Sequence, residues 1–155
     1  MRLGAAMAVV LMLAGCRIEN RAPAGSLADD EAIRTLVATY YRSSSGGDWA
    51  GVRGLFWDGA TIQRGPAEGG NWRAFESPEA FQGWLEAGGW AAPLEPVRVE
   101  PRQDGDLAAV WVTTRRAGTE RGMASSDHFL LRRIDGAWRI TSLASATRNP
   151  PPVAR

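Results

Sequence analysis

The sequence predicts an α+β fold in which about three helices lie across the concave face of a strongly bent antiparallel sheet. Three observations lead to this expectation. Apolar residues in the first half recur at helical spacing, those in the last third alternate with a period of two, and Asp135-Gly136 separates two β-favouring runs as a hairpin turn does. Helices that precede antiparallel strands in the chain are characteristic of segregated α+β domains.

The first predicted helix has the clearest amphipathic pattern. Ser26 and Asp29 are spaced as a capping box at its start, and Gly46-Gly47 follows its end. Its apolar residues fall on one stripe, which we expect to face the sheet: Ile33, Leu36, Val37, Tyr40 and Tyr41. Asp48 then caps a short second helix, whose inward residues are Val52, Leu55 and Phe56.

The later elements are shorter. Asp58-Gly59 is predicted to turn the chain into a strand over residues 60–63, and residues 65–70 are predicted to form a mobile glycine-rich loop. Ser77-Pro78 begins a third helix, which turns Phe81, Trp84 and Leu85 inward. The remaining strands are expected at Val97 and Val99 and over residues 107–114, 128–134 and 138–143.

The amino-terminal residues predict an exported lipoprotein. An apolar run over residues 3–13 follows Arg2; it is shorter than the roughly 20 residues of a bilayer span but suits a signal peptide. It leads into Leu13-Ala14-Gly15-Cys16, which resembles a bacterial lipobox and contains the one cysteine of the chain. That resemblance implies that Cys16 is acylated and anchors the protein to a membrane. The alternative is a signal peptide without lipid and an incidental cysteine.

We therefore expect four segments. These are a signal peptide (1–15), the lipidated Cys16 with a flexible tether (16–26), one folded domain (27–148) and a proline-rich disordered tail (149–155). Residue 17 is arginine, not the aspartate that retains lipoproteins at the inner membrane. Resemblance to Gram-negative lipoproteins then implies the periplasmic face of the outer membrane.

Charge and motif content argue against several function classes. The chain has 18 Lys+Arg and 17 Asp+Glu, and loss of Arg2 with the leader would make the two equal, whereas nucleic-acid binding normally shows as a basic excess. A lone histidine, His128, cannot assemble a multi-histidine metal site, and strand alternation points it away from the face of Asp127. No Walker, dinucleotide or nucleophile-elbow motif is present, so we expect neither metal nor cofactor.

The domain resembles the nuclear transport factor 2-like superfamily, which includes ketosteroid isomerases and SnoaL-like polyketide cyclases. The resemblance implies a cone-shaped fold and leaves the function open, because this fold hosts many different sites. The segments that carry it are Gly47-Asp48-Trp49, Leu55-Phe56 with Ala60-Thr61-Ile62, Asp127-His128-Phe129, and Asp135-Gly136-Ala137-Trp138-Arg139-Ile140.

The same resemblance places Tyr40 and Asp127 where ketosteroid isomerases carry their oxyanion-hole donors. The proton-abstracting aspartate of that family falls on Arg64, which stays protonated and cannot act as a base, so isomerisation is disfavoured. We expect Arg64 near the mouth of the cone, facing an anionic oxygen of an otherwise apolar ligand. The structural alternatives are a core role for Tyr40, a turn or strand edge for Asp127, and a solvent or Glu68 contact for Arg64.

Tryptophans surround the third helix and are candidates for ligand or partner contact, with core packing as the alternative: Trp72, Trp84 and Trp90.

Three functions remain open. The favoured one is a non-catalytic, membrane-anchored domain that binds a small apolar or aromatic ligand or supports an envelope assembly. The others are an isomerase, cyclase or dehydratase that uses Tyr40 and Asp127 as donors, and a purely structural interaction module. A homodimer through the outer face of the sheet is expected, since residues 107–114 and 128–134 carry apolar side chains on both faces.

The lipid anchor is directly testable. A Cys16→Ser variant should be released from membranes or misprocessed, because the thiol is the acylation site in the lipobox interpretation. Fractionation of cells at high salt measures this outcome. A variant that still sediments quantitatively with membranes would contradict the lipoprotein prediction.

Overall fold

The computed structural model describes residues 26–65, 71–89, 93–117 and 124–148. The predictions about Cys16, the signal peptide, residues 66–70, Trp90 and the proline-rich tail lie outside these residues. Three helices and six strands follow in the order α1 (Leu27–Gly46), α2 (Trp49–Gly54), β1 (Phe56–Arg64), β2 (Arg73–Phe75), α3 (Pro78–Trp84), β3 (Leu94–Asp104), β4 (Leu107–Arg116), β5 (Ala124–Ile134) and β6 (Ala137–Arg148), with a π-helical turn (Leu85–Gly89) continuing α3.

The strands form one curved, open sheet in the order β2-β1-β6-β5-β4-β3, so the predicted α+β architecture is confirmed. Strands β3 to β6 make an antiparallel meander, and the predicted Asp135-Gly136 hairpin joins the last two with both residues at positive φ. Strand β1 departs from the purely antiparallel expectation, because it runs parallel to β6. The last strand is thereby inserted between β1 and the rest of the meander.

Helix α1 forms as its pattern predicts. The Ser26 hydroxyl accepts a hydrogen bond from the Asp29 amide at 3.1 Å, and Gly47 ends the helix in the left-handed conformation at φ 72°. All five residues of the predicted stripe are buried, together with Ser44. None of the helices in the described residues is long and apolar enough to cross a bilayer.

The expected turn at Asp58-Gly59 is wrong. Both residues lie inside β1, where the pairing with β6 shifts register between Phe56 and Thr61. Phe56 is already paired with Ile140 before the Asp-Gly dipeptide, so strand pairing on both sides overrides the local turn preference. The irregularity keeps Phe56, Ala60 and Ile62 buried against the helices.

The outer face of the sheet retains large exposed apolar side chains. Leu107, Trp111 and Leu130 are 57%, 42% and 52% exposed, and the pairing of β4 with β5 places them on one face. His128 lies on this face too, with its ring 5.8 Å from that of Trp111, and is thus opposite to Asp127 as the strand alternation predicts.

A cluster of Asp29, Arg133 and Trp138 connects the amino-terminal turn of α1 to the sheet. Asp29 accepts hydrogen bonds from the Arg133 guanidinium and, at 3.3 Å, from the Trp138 indole, while the Arg133 guanidinium lies 5.0 Å from the Trp138 ring centroid. The Ser26 hydroxyl, together with further side-chain donors, lowers the pKa of Asp29 from its ordinary value of 3.8 to about 2. The cluster thus favours the charged form of Asp29 in the folded state.

We predict that Asp29→Asn lowers stability at neutral pH and flattens its acid dependence. Because the pKa of Asp29 is depressed in the folded state, its stabilisation is complete above pH of about 4 and is lost as the pH falls toward about 2. Urea unfolding across this range measures the effect. Asp30→Asn is the matched control, since its ion pair with Arg34 is exposed and should contribute little. If the free energy of unfolding fell equally with pH in the parent and in Asp29→Asn, the lowered pKa of Asp29 would not be the source of this acid dependence.

Candidate functional site

A buried carboxylate lies at the centre of the concave face. Asp127 is 1% exposed and is paired across the sheet with Val112 on β4 and Ser145 on β6, so it occupies an interior strand and not a turn or sheet edge. The Tyr41 hydroxyl donates to its Oδ2 at 2.5 Å, and the Ser145 hydroxyl donates to its Oδ1. Both carboxylate oxygens are therefore satisfied by hydroxyl donors from neighbouring elements.

The strand period explains why these groups meet. Asp127 shares its face with Phe129 and Leu131, which belong to the core, and Ser145 stands directly opposite it on β6. Burial of a carboxylate among apolar groups is costly unless hydrogen bonds compensate, and Tyr41 and Ser145 supply two of them. A second buried hydroxyl pair, between Thr114 and Ser125 at 2.5 Å, continues this polar layer along the sheet.

Tyr40 occupies a core position beside this network. It is 1% exposed, and its ring packs edge-to-face against those of Tyr41 and Phe129, each with centroids 5.2 Å apart. The charge of the Arg64 guanidinium acts on the Tyr40 hydroxyl and opposes the rise in pKa that burial causes, so the two groups lie close to one another. Of the two predicted donors, Asp127 is thus hydrogen-bonded to Tyr41, while Tyr40 lies near the charge of Arg64.

Burial raises the pKa of Tyr40 and Tyr41 above the ordinary value of a tyrosine. For Tyr41 the charge of Asp127 acts in the same direction, whereas for Tyr40 the Arg64 cation opposes the effect. Both phenols therefore remain protonated at neutral pH, and the Tyr41 hydroxyl donates to Asp127. Neither can serve as a general base there.

Two arginines and a tryptophan form a cluster, which we call the mouth cluster, beside Tyr40. Arg64 ends β1 and Arg73 begins β2, and the two are direct partners in the antiparallel pairing, so their side chains share a face. Their guanidinium carbons lie 5.5 and 6.0 Å from the ring centroid of Trp84 on α3. Trp84 is itself stacked on the buried Phe81. The mouth cluster thus holds two positive charges over one aromatic surface.

Trp72 lies next to this cluster and is 55% exposed. Its ring approaches Gly65, where an added Cβ atom would lie 3.2 Å from both the indole and the Ser145 carbonyl oxygen. The Gly65 amide donates to that carbonyl at 2.6 Å. Glycine at this position therefore lets the indole and β6 approach the end of β1 closely.

Three residues of the site are not predicted by the sequence: Tyr41, Arg73 and Ser145. The pattern of α1 places Tyr41 on an apolar stripe, and Arg73 lies on a short strand for which the sequence gives no signal. Ser145 stands at an inward position of an alternating strand, and a polar residue at such a position is the signal that would have found it.

The site contains cations and hydroxyl donors and lacks an assembled metal centre. Within the described residues, no group of three histidine, cysteine, aspartate or glutamate side chains is placed to hold a metal ion. The mouth cluster is suited to binding an anionic oxygen next to an apolar or aromatic surface.

Comparison with solved structures identifies the same fold in proteins of unknown function. A nuclear transport factor 2-like protein from Methylobacillus flagellatus KT is similar with a TM-score of 0.67 and 20% identity, over 81% of this chain and 96% of that one. One from Pseudomonas putida KT2440 gives a TM-score of 0.67 and 18% identity, over 84% and 94%. A third, from Silicibacter pomeroyi DSS-3, gives 0.59 and 25%, over 78% and 97%.

Among curated proteins, none matches this sequence significantly. A family model described as the SnoaL-like domain matches residues 25–144, which include every helix and strand up to the middle of β6. This match covers well over half of the chain, and the solved structures agree with it in fold. The chain therefore belongs to the SnoaL-like domain family, and it has the fold of the nuclear transport factor 2-like proteins.

Proposed function

We propose that this protein is a non-catalytic binding protein of the cell envelope, whose cone binds a small aromatic or apolar molecule that carries an anionic oxygen. One observation carries the proposal: the Arg64 and Arg73 guanidiniums lie together over the Trp84 ring at the end of β1. An aromatic ring can stack beside Trp84 while a carboxylate accepts charge-assisted hydrogen bonds from arginine.

The surroundings of Arg64 favour a binding role. Tyr40 is held in the core by its ring contacts, and its hydroxyl lies near the charge of Arg64, so Tyr40 would stand behind the ligand. The expected ligand contacts are therefore Arg64, Trp72 and Trp84. Arg73 is added because it is paired with Arg64 and lies against the same Trp84 ring. Trp90 remains a prediction for this set.

The enzyme alternative would use Tyr40 and Asp127 as oxyanion donors. In the observed geometry, both oxygens of Asp127 accept hydrogen bonds from Tyr41 and Ser145. The resemblance to ketosteroid isomerases places Arg64 at the position of their proton-abstracting aspartate. An oxyanion at Asp127 would have to displace one of these hydroxyls and bind to a protonated carboxyl. These features support a binding function over proton-transfer catalysis.

The lipobox supplies the cellular part of the proposal. Acylation of Cys16 would tether the domain to the envelope, on the periplasmic face of the outer membrane in a Gram-negative cell. The tether of residues 16–26 would leave the mouth cluster accessible to a ligand that diffuses in the periplasm.

The ligand class is tested by titrating 2-naphthoate and the neutral 2-naphthamide against tryptophan fluorescence. We expect the carboxylate to bind more tightly, because Arg64 gives it a charge-assisted hydrogen bond. Arg64→Ala should remove most of that preference, about 1.5–3 kcal/mol. Calorimetry on the same pair of ligands gives an independent measure of the affinities.

Arg98→Ala is the matched control, because Arg98 lies on β3, is strongly exposed and pairs with Glu100 at 2.8 Å. This variant should discriminate between the ligands as the parent does. Equal affinity of the parent for the two ligands would refute the proposal, as would an Arg64→Ala variant that keeps the full preference.

We further propose that the outer face of the sheet pairs two copies of the chain. Leu107, Trp111 and Leu130 form an exposed apolar surface there, and a two-fold contact would remove it from water. The helices cover the opposite face, so the pairing would leave the mouth cluster open in each copy.

Sedimentation of the chain without residues 1–25, which keeps the Ser26 cap, tests this pairing. The parent should have about twice the monomer mass at micromolar concentration. Leu130→Arg should give a monomer, since it buries a charge at the contact, whereas Leu27→Arg, at a 91% exposed position on α1, should not. A monomeric parent would eliminate the proposed dimer.

A further inference from the structure

A second concave surface lies at the opposite end of β1 from the mouth cluster. It is a groove of about 440 Å³ between the end of α2, the start of β1 and the β5–β6 hairpin. Its volume falls within the range of roughly 300–1,000 Å³ that is typical of small-molecule sites. The side chains that matter for its chemistry are Arg53, Trp57, Asp58, Asp135 and Arg139.

This groove is separate from the proposed ligand site. Asp58 and Arg64 are six residues apart on β1, which corresponds to about 20 Å along an extended strand. Asp135 lies at the hairpin turn of β5, eight residues beyond the buried Asp127. A ligand in the groove would therefore leave the mouth cluster untouched.

Trp57 provides the groove with an aromatic surface. Its indole is 46% exposed, although the ring lies directly against the backbone of Gly59. A Cβ atom on Gly59 would stand only 2.5 Å from the indole Cζ3 atom, so the ring can lie on the strand only because residue 59 is glycine. The indole is thus supported from below and partly open to the groove.

The polar groups around Trp57 are held in fixed orientations. Arg53 forms ion pairs with Asp58, at 2.6 Å, and with Glu79 on α3. Arg139 donates from Nη1 to the Gly54 carbonyl oxygen at 2.5 Å. These contacts hold the guanidiniums of Arg53 and Arg139 and the carboxylate of Asp58 in fixed orientations along the groove. Because these groups are already ordered, less conformational entropy is lost when a ligand binds.

The charges of the groove balance. Two guanidiniums, of Arg53 and Arg139, face two carboxylates, of Asp58 and Asp135, so the lining does not select for either an anion or a cation. An aromatic face surrounded by fixed donors and acceptors of both kinds suits a neutral molecule that has an apolar face and many hydroxyl groups. A pyranose ring has both properties, since its axial C–H groups form an apolar face and its hydroxyls lie around the edge.

We propose that this groove binds a neutral saccharide, with one pyranose ring against Trp57 and its hydroxyls hydrogen-bonded to Arg139, Asp58 and Asp135. The interaction would attach the protein to glycan through a surface that the cone does not use. It does not depend on the carboxylate-binding function of the mouth cluster.

The full-length chain, purified in a mild detergent, is titrated calorimetrically with maltotriose, cellotriose and triacetylchitotriose. At least one should bind with a Kd of about 1 mM or tighter, and saturation-transfer NMR should show the strongest contact on one face of a sugar ring. The three probes separate a glucan from an N-acetylated glycan. No binding by any of them at about tenfold higher concentration would overturn the proposal.

Variants locate the binding. Trp57→Ala should weaken the affinity about tenfold or more, and Trp57→Phe should recover much of it because the aromatic face remains. Asp135→Asn should weaken binding by several-fold, and asparagine tolerates the positive φ of 51° at this turn. Trp72→Ala is the matched control, since it removes an exposed tryptophan at the mouth cluster, and it should bind as the parent does.

Three results would contradict the assignment. The first is unchanged affinity in Trp57→Ala, verified as folded by its thermal unfolding. The second is tighter binding of trigalacturonate than of every neutral trisaccharide, which would indicate an ionic site. The third is a change of sedimentation mass in Trp57→Ala with saccharide binding intact, which would assign Trp57 to a contact between copies.

Discussion

The hydrogen bonds of the buried Asp127 carboxylate are the constraint on which the arrangement of helix and sheet depends. A carboxylate that is 1% exposed must be compensated, and its two donors come from α1 and from β6. The Tyr41 hydrogen bond joins α1 to β5, and Phe129 of the same strand packs against Tyr40 and Tyr41. The polar contact thus fixes where the helix sits, while the aromatic packing around it supplies the apolar burial.

The other end of α1 is fixed by a different interaction. Asp29 is bound by Arg133 and Trp138 near the β5–β6 hairpin, so the helix is held by β5 and β6 near its start and by β5 at Tyr41. Tyr40, one residue before Tyr41 on this helix, packs its ring against Tyr41, Phe56 and Phe129, and its hydroxyl lies near the charge of Arg64. The helix that binds Asp127 thus also brings a phenol close to the mouth cluster.

The family and the fold leave the chemistry of the protein open, because the SnoaL-like fold is a frame on which different sites are built. Catalysis by proton abstraction needs a base in the cone, and Arg64, which the resemblance to ketosteroid isomerases places at that position, stays protonated. In this chain, the same fold carries the Arg64 and Arg73 guanidiniums over the Trp84 ring, an arrangement suited to binding an anion. The exposed Trp57 at the opposite end of β1 adds an unrelated surface to the same strand.

Local patterns in the sequence determined the architecture. The stripe of α1, its Ser26 cap and the Asp135-Gly136 hairpin are encoded within a few neighbouring residues, and all three formed as predicted. The inward position of Asp127 and the outward position of His128 followed from strand alternation alone. The burial of Tyr40 also followed from the stripe.

Only the tertiary structure decided which tyrosine reaches Asp127. Tyr40 and Tyr41 point about 100° apart on the helix, and the choice depends on a strand 86 residues away in the chain. The pairing of Arg64 with Arg73, and the inclusion of Asp58-Gly59 in β1, likewise depend on strand register between distant segments. Local propensity cannot encode such contacts, because register is set by the simultaneous burial of side chains from both strands.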